Sequence, residues 1–342
     1  DNLSIDSVQN DQAAIWVLGL GTTLGIVVMA VVQGVAVLRH GMRFTFAPQF
    51  AHPAVKKLVQ LSLWTLGYVA ANQVALVVIK NLASPGSGGV DAYSKAFVLL
   101  QLPHGLLAVS IATTFVPDLA RMFHRGDHQQ FSTTMASGIR LTALLTIPAS
   151  CGLWVMSKPI IGLLFQHGNF SAVATANTAR ALSGLAIGLA GFSVYLFVLR
   201  GFYARNDTRT PFFINVGENV INIVLAIVLV DRHGVFGLGL SFSIAYLVSA
   251  LVALLILEST EVDIKLSELA FNIVRIALAA GVMTCVVWFT IRQVGSDSGV
   301  GALSRVVTGT LIGAATYAVA LSALGEKTMR DYLSSKITKS SR

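Results

Sequence analysis

Charge is what this chain has least of. Asp, Glu, Lys and Arg make up 12% of its 342 residues, against 54% hydrophobic ones, and its mean hydropathy is +0.73. Soluble domains carry about 25% charged residues, so a water-soluble globular protein is excluded at the outset. Cysteine is nearly absent too. Cys151 and Cys285 fall in different apolar runs, which excludes a disulfide framework or a metal motif and predicts two inert, buried thiols. No proline-rich linker, low-complexity tract or charge block divides the chain, which therefore reads as one polytopic unit with short connections. The spacing of Gly19, Gly21 and Gly25 is wrong for a dinucleotide fingerprint, and no glycine cluster is followed by the Lys of a phosphate loop. Acids, bases and hydroxyls lie at different depths and form no nucleophile, base and orienter trio, so no enzyme and no cofactor is expected.

What the chain does have is a succession of long apolar runs: 13–38, 58–79, 92–116, 139–156, 175–199, 212–230, 236–257, 271–291 and 301–324. A hydrocarbon core about 30 Å thick takes roughly 20 apolar residues as helix, and lipid offers backbone groups no other partner. The expected fold class is an all-α polytopic membrane bundle of about nine transmembrane helices. Trp16, Trp154 and Trp288 near one set of helix ends, and Trp64 near the other, fit interfacial anchoring.

The net charge of +8 then reads as topology rather than nucleic-acid binding. Arg39, Arg43, Lys56, Lys57, Arg121, Arg125, Arg140, Arg200, Arg205, Arg209, Lys265, Arg275 and the tail from Lys327 to Arg342 fall on alternate connections. The other side holds only Lys80, Lys95, Lys158, Arg180, Arg232, Arg292 and Arg305. Positive charge marks the cytoplasmic side, which places Asp1 outside and the C-terminus inside. A polar external start without Met or signal peptide leads us to expect a helix before Asp1, as in a piece of a larger transporter.

Polar side chains in lipid are costly, so each is a candidate site. Asn72 and Gln73 lie mid-run in 58–79. The run 92–116 carries Lys95, Gln101, Pro103 and His104. Pro103 removes a backbone bond and Gly105 follows, so this helix should kink or open around Gln101 and His104. A broken helix beside polar groups is one way to build a mid-membrane site. The run 212–230 holds Asn215, Glu218, Asn219 and Asn222; Glu218 and Asn222, four apart, share a face. They are the candidates for coupling to a cation or a proton, the alternative being a polar cap. In FYARNDTRTP, Thr210 is the expected N-cap with Pro211 at the first helical position, and Arg205 and Arg209 bracket Asp207, an arrangement expected to lock the turn, the alternative being contact with a phosphate headgroup. Ser171 should cap the helix after LFQHGNFS. His124 and His128 flank Gly126 without a carboxylate motif, and no metal site is expected. Gly21 with Gly25, Gly184 with Gly188, and Gly309 with Gly313 have the spacing of close helix contacts.

QLPHGLLAVSIATTFVPDLAR (101–121), LLFQHGNFS (163–171) and GFYARNDTRTP (201–211), with VINIVL at 220–225 and GLGLSFS at 237–243, resemble in content, order and spacing the signature segments of the MurJ/MviN family. That family belongs to the larger superfamily of multidrug, oligosaccharidyl-lipid and polysaccharide exporters. The resemblance implies a lipid II flippase, moving the undecaprenyl-pyrophosphate-linked peptidoglycan precursor from the cytoplasmic to the outer leaflet of the bacterial plasma membrane. It implies two six-helix lobes and two extra helices, rocking by alternating access. On it, 1–57 holds the last helix of the first lobe and the inter-lobe connection. The second lobe is 58–258, and the two extra helices and the basic cytoplasmic tail occupy 259–342. Lipid II and membrane lipids are then the partners, with Na+ or H+ and cell-wall synthesis proteins as further candidates. The family's cavity Arg aligns with Val98, leaving Lys95 as the substitute cation, and the acidic position before the Pro is Gln101. Lys95, Gln101, His104, Asn72 and Gln73 are thus the implied substrate site, with Pro103, Arg205, Asp207 and Arg209 as conformational or loop residues. A family cation site matches Asn222, but its partner position is Ala226. The last two helices would flank a groove for the lipid tail, with Arg275 and Arg305 near headgroups. The alternatives are a cation-coupled multidrug or polysaccharide-lipid exporter, and a transport-inactive scaffold for cell-wall synthesis.

Overall fold

Backbone groups in lipid must bond within their own segment, and the apolar runs accordingly form helices. The computed structural model describes residues 12–39, 53–84, 87–260 and 263–325. The polar opening, Arg43 and the basic tail from Lys327 lie outside the described residues. The helices are α1 (Gln12–Arg39), α2 (Pro53–Leu82), α3 (Gly89–Pro103), a π turn (His104–Val109), α4 (Ser110–His124), α5 (His128–Val155), α6 (Ser157–Phe165), α7 (Ala172–Ala186), α8 (Leu189–Ala204), α9 (Arg209–His233), α10 (Val235–Glu258), α11 (Leu266–Gln293) and α12 (Gly299–Ala323). Among the described residues, eight spans are long and apolar enough to cross a membrane, counting α3 to α4 as one; the pair α7 and α8, bent by 47°, makes a ninth. The all-helical membrane bundle is the expected class.

Two departures from the sequence reading are local. Helix α5 begins at His128 rather than near residue 139, because Asp127 caps it by accepting the Gln130 N–H at 3.1 Å. The short α6 was not anticipated; it is too brief to give a membrane signal.

By internal contacts the chain divides into Asp1–Lys56 and Lys57–Arg342. In the first unit, α1 is exposed along nearly all of its length. In the second, the core is centred on α8 and α10, where Tyr195, Phe197, Phe202, Leu238 and Ala253 are buried. Small residues let these helices close together. A methyl group on Gly184 would stand 2.5 Å from the Phe236 carbonyl oxygen, and one on Gly188 would stand 2.5 Å from the Ser243 Cα. Gly309 and Gly313 likewise receive Met156, Ile291, Val287 and Met283, whereas Gly21 and Gly25 face nothing within 4 Å.

The bend between α7 and α8 frees carbonyls inside the lobe, and hydroxyls from neighbouring helices take them up. Ser243 Oγ donates to the carbonyls of Gly184 (2.6 Å) and Leu185 (3.2 Å), and Ser150 Oγ donates to that of Ala186. This is how a broken span satisfies its backbone without water. The helix entered at Gly89 opens into a π turn immediately after Pro103. Pro117 and Pro148 sit within continuous α-helix, so proline alone does not make that turn. It coincides with Gly105 and with His104 Nδ1, which lies 3.0 Å from Ser193 Oγ on α8.

Helices α11 and α12 pack on α5 and α6. Tyr317 Oη donates to the Leu144 carbonyl at 2.7 Å. At one end, Asp297 in the α11–α12 turn pairs with Lys158 of α6 at 2.9 Å and with Arg305 of α12, which also donates to the carbonyls of Val294 and Gly295. Burial would raise the Asp297 carboxyl, but the two cations outweigh it and hold it below its ordinary value.

Candidate functional site

Helices α2, α3, α9 and α10 line a cavity of about 390 Å³. Asn72, Gln73 and Lys80 come from α2, and Tyr93, Ser94, Phe97 and Val98 from α3. Glu218, Asn219 and Asn222 come from α9, and Phe242 and Tyr246 from α10. The α9 residues fall on one face because they recur three and four apart. A reciprocal amide pair fixes α2 against α9: Asn72 Nδ2 donates to Asn215 Oδ1 at 3.2 Å, and Asn215 Nδ2 returns a bond to Asn72 Oδ1 at 3.4 Å. Asn219 Nδ2 donates to the Asn215 carbonyl at 2.9 Å, and Asn222 Oδ1 accepts from Ser241 Oγ at 3.0 Å. Glu218 differs from all of these. It is 1% exposed, and neither carboxyl oxygen has a hydrogen-bond partner.

Four sequence candidates, Asn72, Gln73, Glu218 and Asn222, therefore meet in one cavity. Lys95 does not line it. Its ammonium pairs with Asp91 one turn earlier and stands 5.1 Å from the centre of the Phe170 ring. Gln101 is on an exposed face of α3, and His104 is held to α8 by Ser193 and by the Phe192 ring 4.5 Å away. Val98, where the family pattern placed an Arg, does line the cavity, and the cation in the lining is Lys80. The sequence places Lys80 on the external half, just past the apolar run 58–79. Helix α2 runs on to Leu82 and carries it into the wall. The aromatic lining by Tyr93, Phe97, Phe242 and Tyr246 was also missed, since aromatic residues in apolar runs give no signal separate from lipid contact.

The α8–α9 turn is not an Arg–Asp–Arg lock. Asp207 Oδ1 accepts the N–H groups of Arg209 and Thr210, both at 3.0 Å, so α9 starts at Arg209 with Thr208 at its N-cap, two residues earlier than expected. Arg205 instead donates to Thr260 Oγ1 at 2.5 Å, and Arg209 lies over the Trp64 and Phe213 rings. Ser171 caps α7 as expected, accepting from the Ala174 N–H at 3.2 Å. The thiols differ from expectation: Cys151 is half-buried and Cys285 exposed, because helices apolar on all faces give no sign of which face turns outward. His124 and His128 both pack on the edge of Phe123.

A second, apolar cavity of about 480 Å³ lies where α3, α5 and α6 meet α11 and α12, beside Pro103, Pro148 and Met156. Arg305 is engaged at Asp297, and Arg275 lies over the Phe271 ring at 4.2 Å.

A bundle of long apolar helices with a broken span, a cavity lined by several polar side chains and a helix pair packed on α5 and α6 defines a polytopic membrane protein. The model of the family described as lipid II flippase MurJ matches residues 3–338, and the chain belongs to that family. A probable lipid II flippase MurJ of Rhizobium meliloti (strain 1021) is 31% identical over 267 residues, covering 78% of this chain and 50% of that protein. The chain spans about half the length of the curated relatives it matches. Among solved structures, a lipid II flippase MurJ in an inward closed conformation superposes with a TM-score of 0.65 at 23% identity, over 94% of this chain and 65% of that one. An outward-facing multidrug resistance transporter of the MATE family gives a TM-score of 0.54 at 18% identity, over 81% and 67% of the two chains.

Proposed function

We propose that this chain forms the second lobe and terminal helix pair of a lipid II flippase, which carries the undecaprenyl-pyrophosphate-linked precursor from the cytoplasmic to the outer leaflet of a bacterial plasma membrane. The observation that carries this reading is the family match along residues 3–338, supported by a cavity that brings Asn72, Gln73, Lys80, Glu218, Asn219 and Asn222 together. Alternating access fits a cavity lined by α3, whose span opens into a π turn after Pro103, with the site exposed to one face and then the other. The apolar cavity between the lobe and α11–α12 suits an isoprenoid tail. Ion coupling is assigned to Glu218 with Asn222, because Glu218 alone brings a buried, unpartnered carboxyl to the cavity. The distribution of Lys and Arg supports an external N-terminal end for the chain and a cytoplasmic C-terminal end.

The test uses the complete reading frame in bacteria depleted of their own flippase, with an externally added toxin that cleaves lipid II. Cleavage restored by expression is the expected result. A well-expressed protein that restores none sinks the lipid II reading in favour of another lipid-linked cargo or a scaffold role.

A further inference from the structure

The cavity lining holds one cation and one carboxyl, Lys80 from α2 and Glu218 from α9. Parallel packing of α2 on α9 is shown by successive contacts: Trp64 with Phe212, then Asn72 with Asn215. Lys80 lies beyond Asn72 on α2 and Glu218 beyond Asn215 on α9, so both stand on the same side of the amide pair that ties the two helices. In this structure they do not pair. Lys80 is exposed at the wall, and neither Glu218 oxygen has a partner.

We propose that Lys80 binds the anionic phosphate of the cargo and that Glu218 is its internal competitor, holding a proton while Lys80 is engaged and releasing it to pair with Lys80 when the anion leaves. A buried carboxylate without donors is strongly disfavoured, so Glu218 requires either a proton or the Lys80 ammonium. The exchange balances: the O–H proton of Glu218 passes to cavity water, and the carboxylate left behind is neutralised by the ammonium that the phosphate has vacated. The other titratable groups about Glu218 are phenols, Tyr68 from α2, Tyr93 from α3, Tyr195 from α8 and Tyr246 from α10. They bear no charge at neutral pH and cannot substitute for Lys80. The flippase reading supplies only the identity of the anion; the competition stands on the cavity.

The test measures binding of inorganic pyrophosphate and of a short prenyl pyrophosphate to the full chain in lipid nanodiscs across pH. Lys80→Gln should weaken binding about tenfold, the loss of one charge-assisted hydrogen bond. Glu218→Gln should bind as tightly as the unaltered protein at acid pH and more tightly at alkaline pH, which cancels the titration of the probe itself. Lys80→Gln combined with Glu218→Gln should behave as Lys80→Gln alone. Infrared spectra should show a protonated carboxyl band that Glu218→Gln removes. Lys80→Gln binding like the unaltered protein, or Glu218→Gln following it at every pH, overturns the proposal. A chain that shows this binding pattern yet restores no toxin cleavage keeps the competition and loses the lipid II assignment.

Discussion

A buried hydroxyl decides more in this protein than its size suggests. Ser243 Oγ takes the Gly184 carbonyl beside the α7–α8 bend and shares that of Leu185 with the Gly188 N–H. Ser243→Ala should therefore cost about 1–2 kcal/mol, the penalty of an unsatisfied buried acceptor, and lower the thermal unfolding midpoint in detergent. Ser304→Ala is the control: its hydroxyl bonds only its own helix, at the Gly301 carbonyl, and its removal should leave the midpoint unchanged. Glycine at the same bend gives the steric counterpart. Gly184→Ala forces a methyl against the Phe236 carbonyl and should destabilise by about 1–3 kcal/mol. Gly217→Ala, with nothing within 4 Å, should be neutral or stabilising. Equal midpoints for the two glycine variants would show that α7 and α10 are not tightly apposed.

At the scale of the element, the α8–α9 turn shows what a sequence can and cannot reveal. That a turn stood here followed from Asn206, Asp207 and Pro211, but which residue caps depended on one dihedral choice. Asp207 reaches two N–H groups, displacing Thr210 from the role. Asp207→Ala should cost about 1 kcal/mol and Asp207→Asn much less, as a cap requires; equal losses would point to its charge instead. The spans themselves were legible because lipid demands long apolar helices whatever their neighbours. The faces of α9 were legible because its polar residues are few and spaced three and four apart. Helix α3 was not, since Lys95 and Ser94 differ by only one position and the apolar residues around them mark no inward face. Only packing turns Ser94 and Val98 to the cavity and Lys95 toward Phe170. Lys80 was hidden for a related reason: a cation two residues from a helix end looks the same whether it meets solvent or a cavity wall.

At the scale of the whole molecule, α11 and α12 must be held in place on α5 and α6. Apolar packing at Leu144, Ile276 and Leu321 gives attraction without register, because lipid tails offer α11 and α12 nearly the same environment. Register comes from polar ties at separated heights, Tyr317 to the Leu144 carbonyl and the Asp297 cluster joining α6 to α12. The cluster gives this docking a pH dependence of definite sign. Asp297 is held below its ordinary value in the folded chain, so its contribution is complete above the unfolded carboxyl's range and is lost as pH falls through the lowered folded value. The effect is modest, since the carboxyl is partly open to solvent. Cysteines introduced at Ile160 and Val306, which line the same apolar cavity from α6 and α12, should report it through cross-linking yield. The yield should hold at neutral pH and decline only in acid, and Asp297→Asn should give the lower yield at every pH. A decline in acid that persists in Asp297→Asn would move the pH sensitivity elsewhere and leave the amide-free apolar contacts and Tyr317 as the ties that hold the pair.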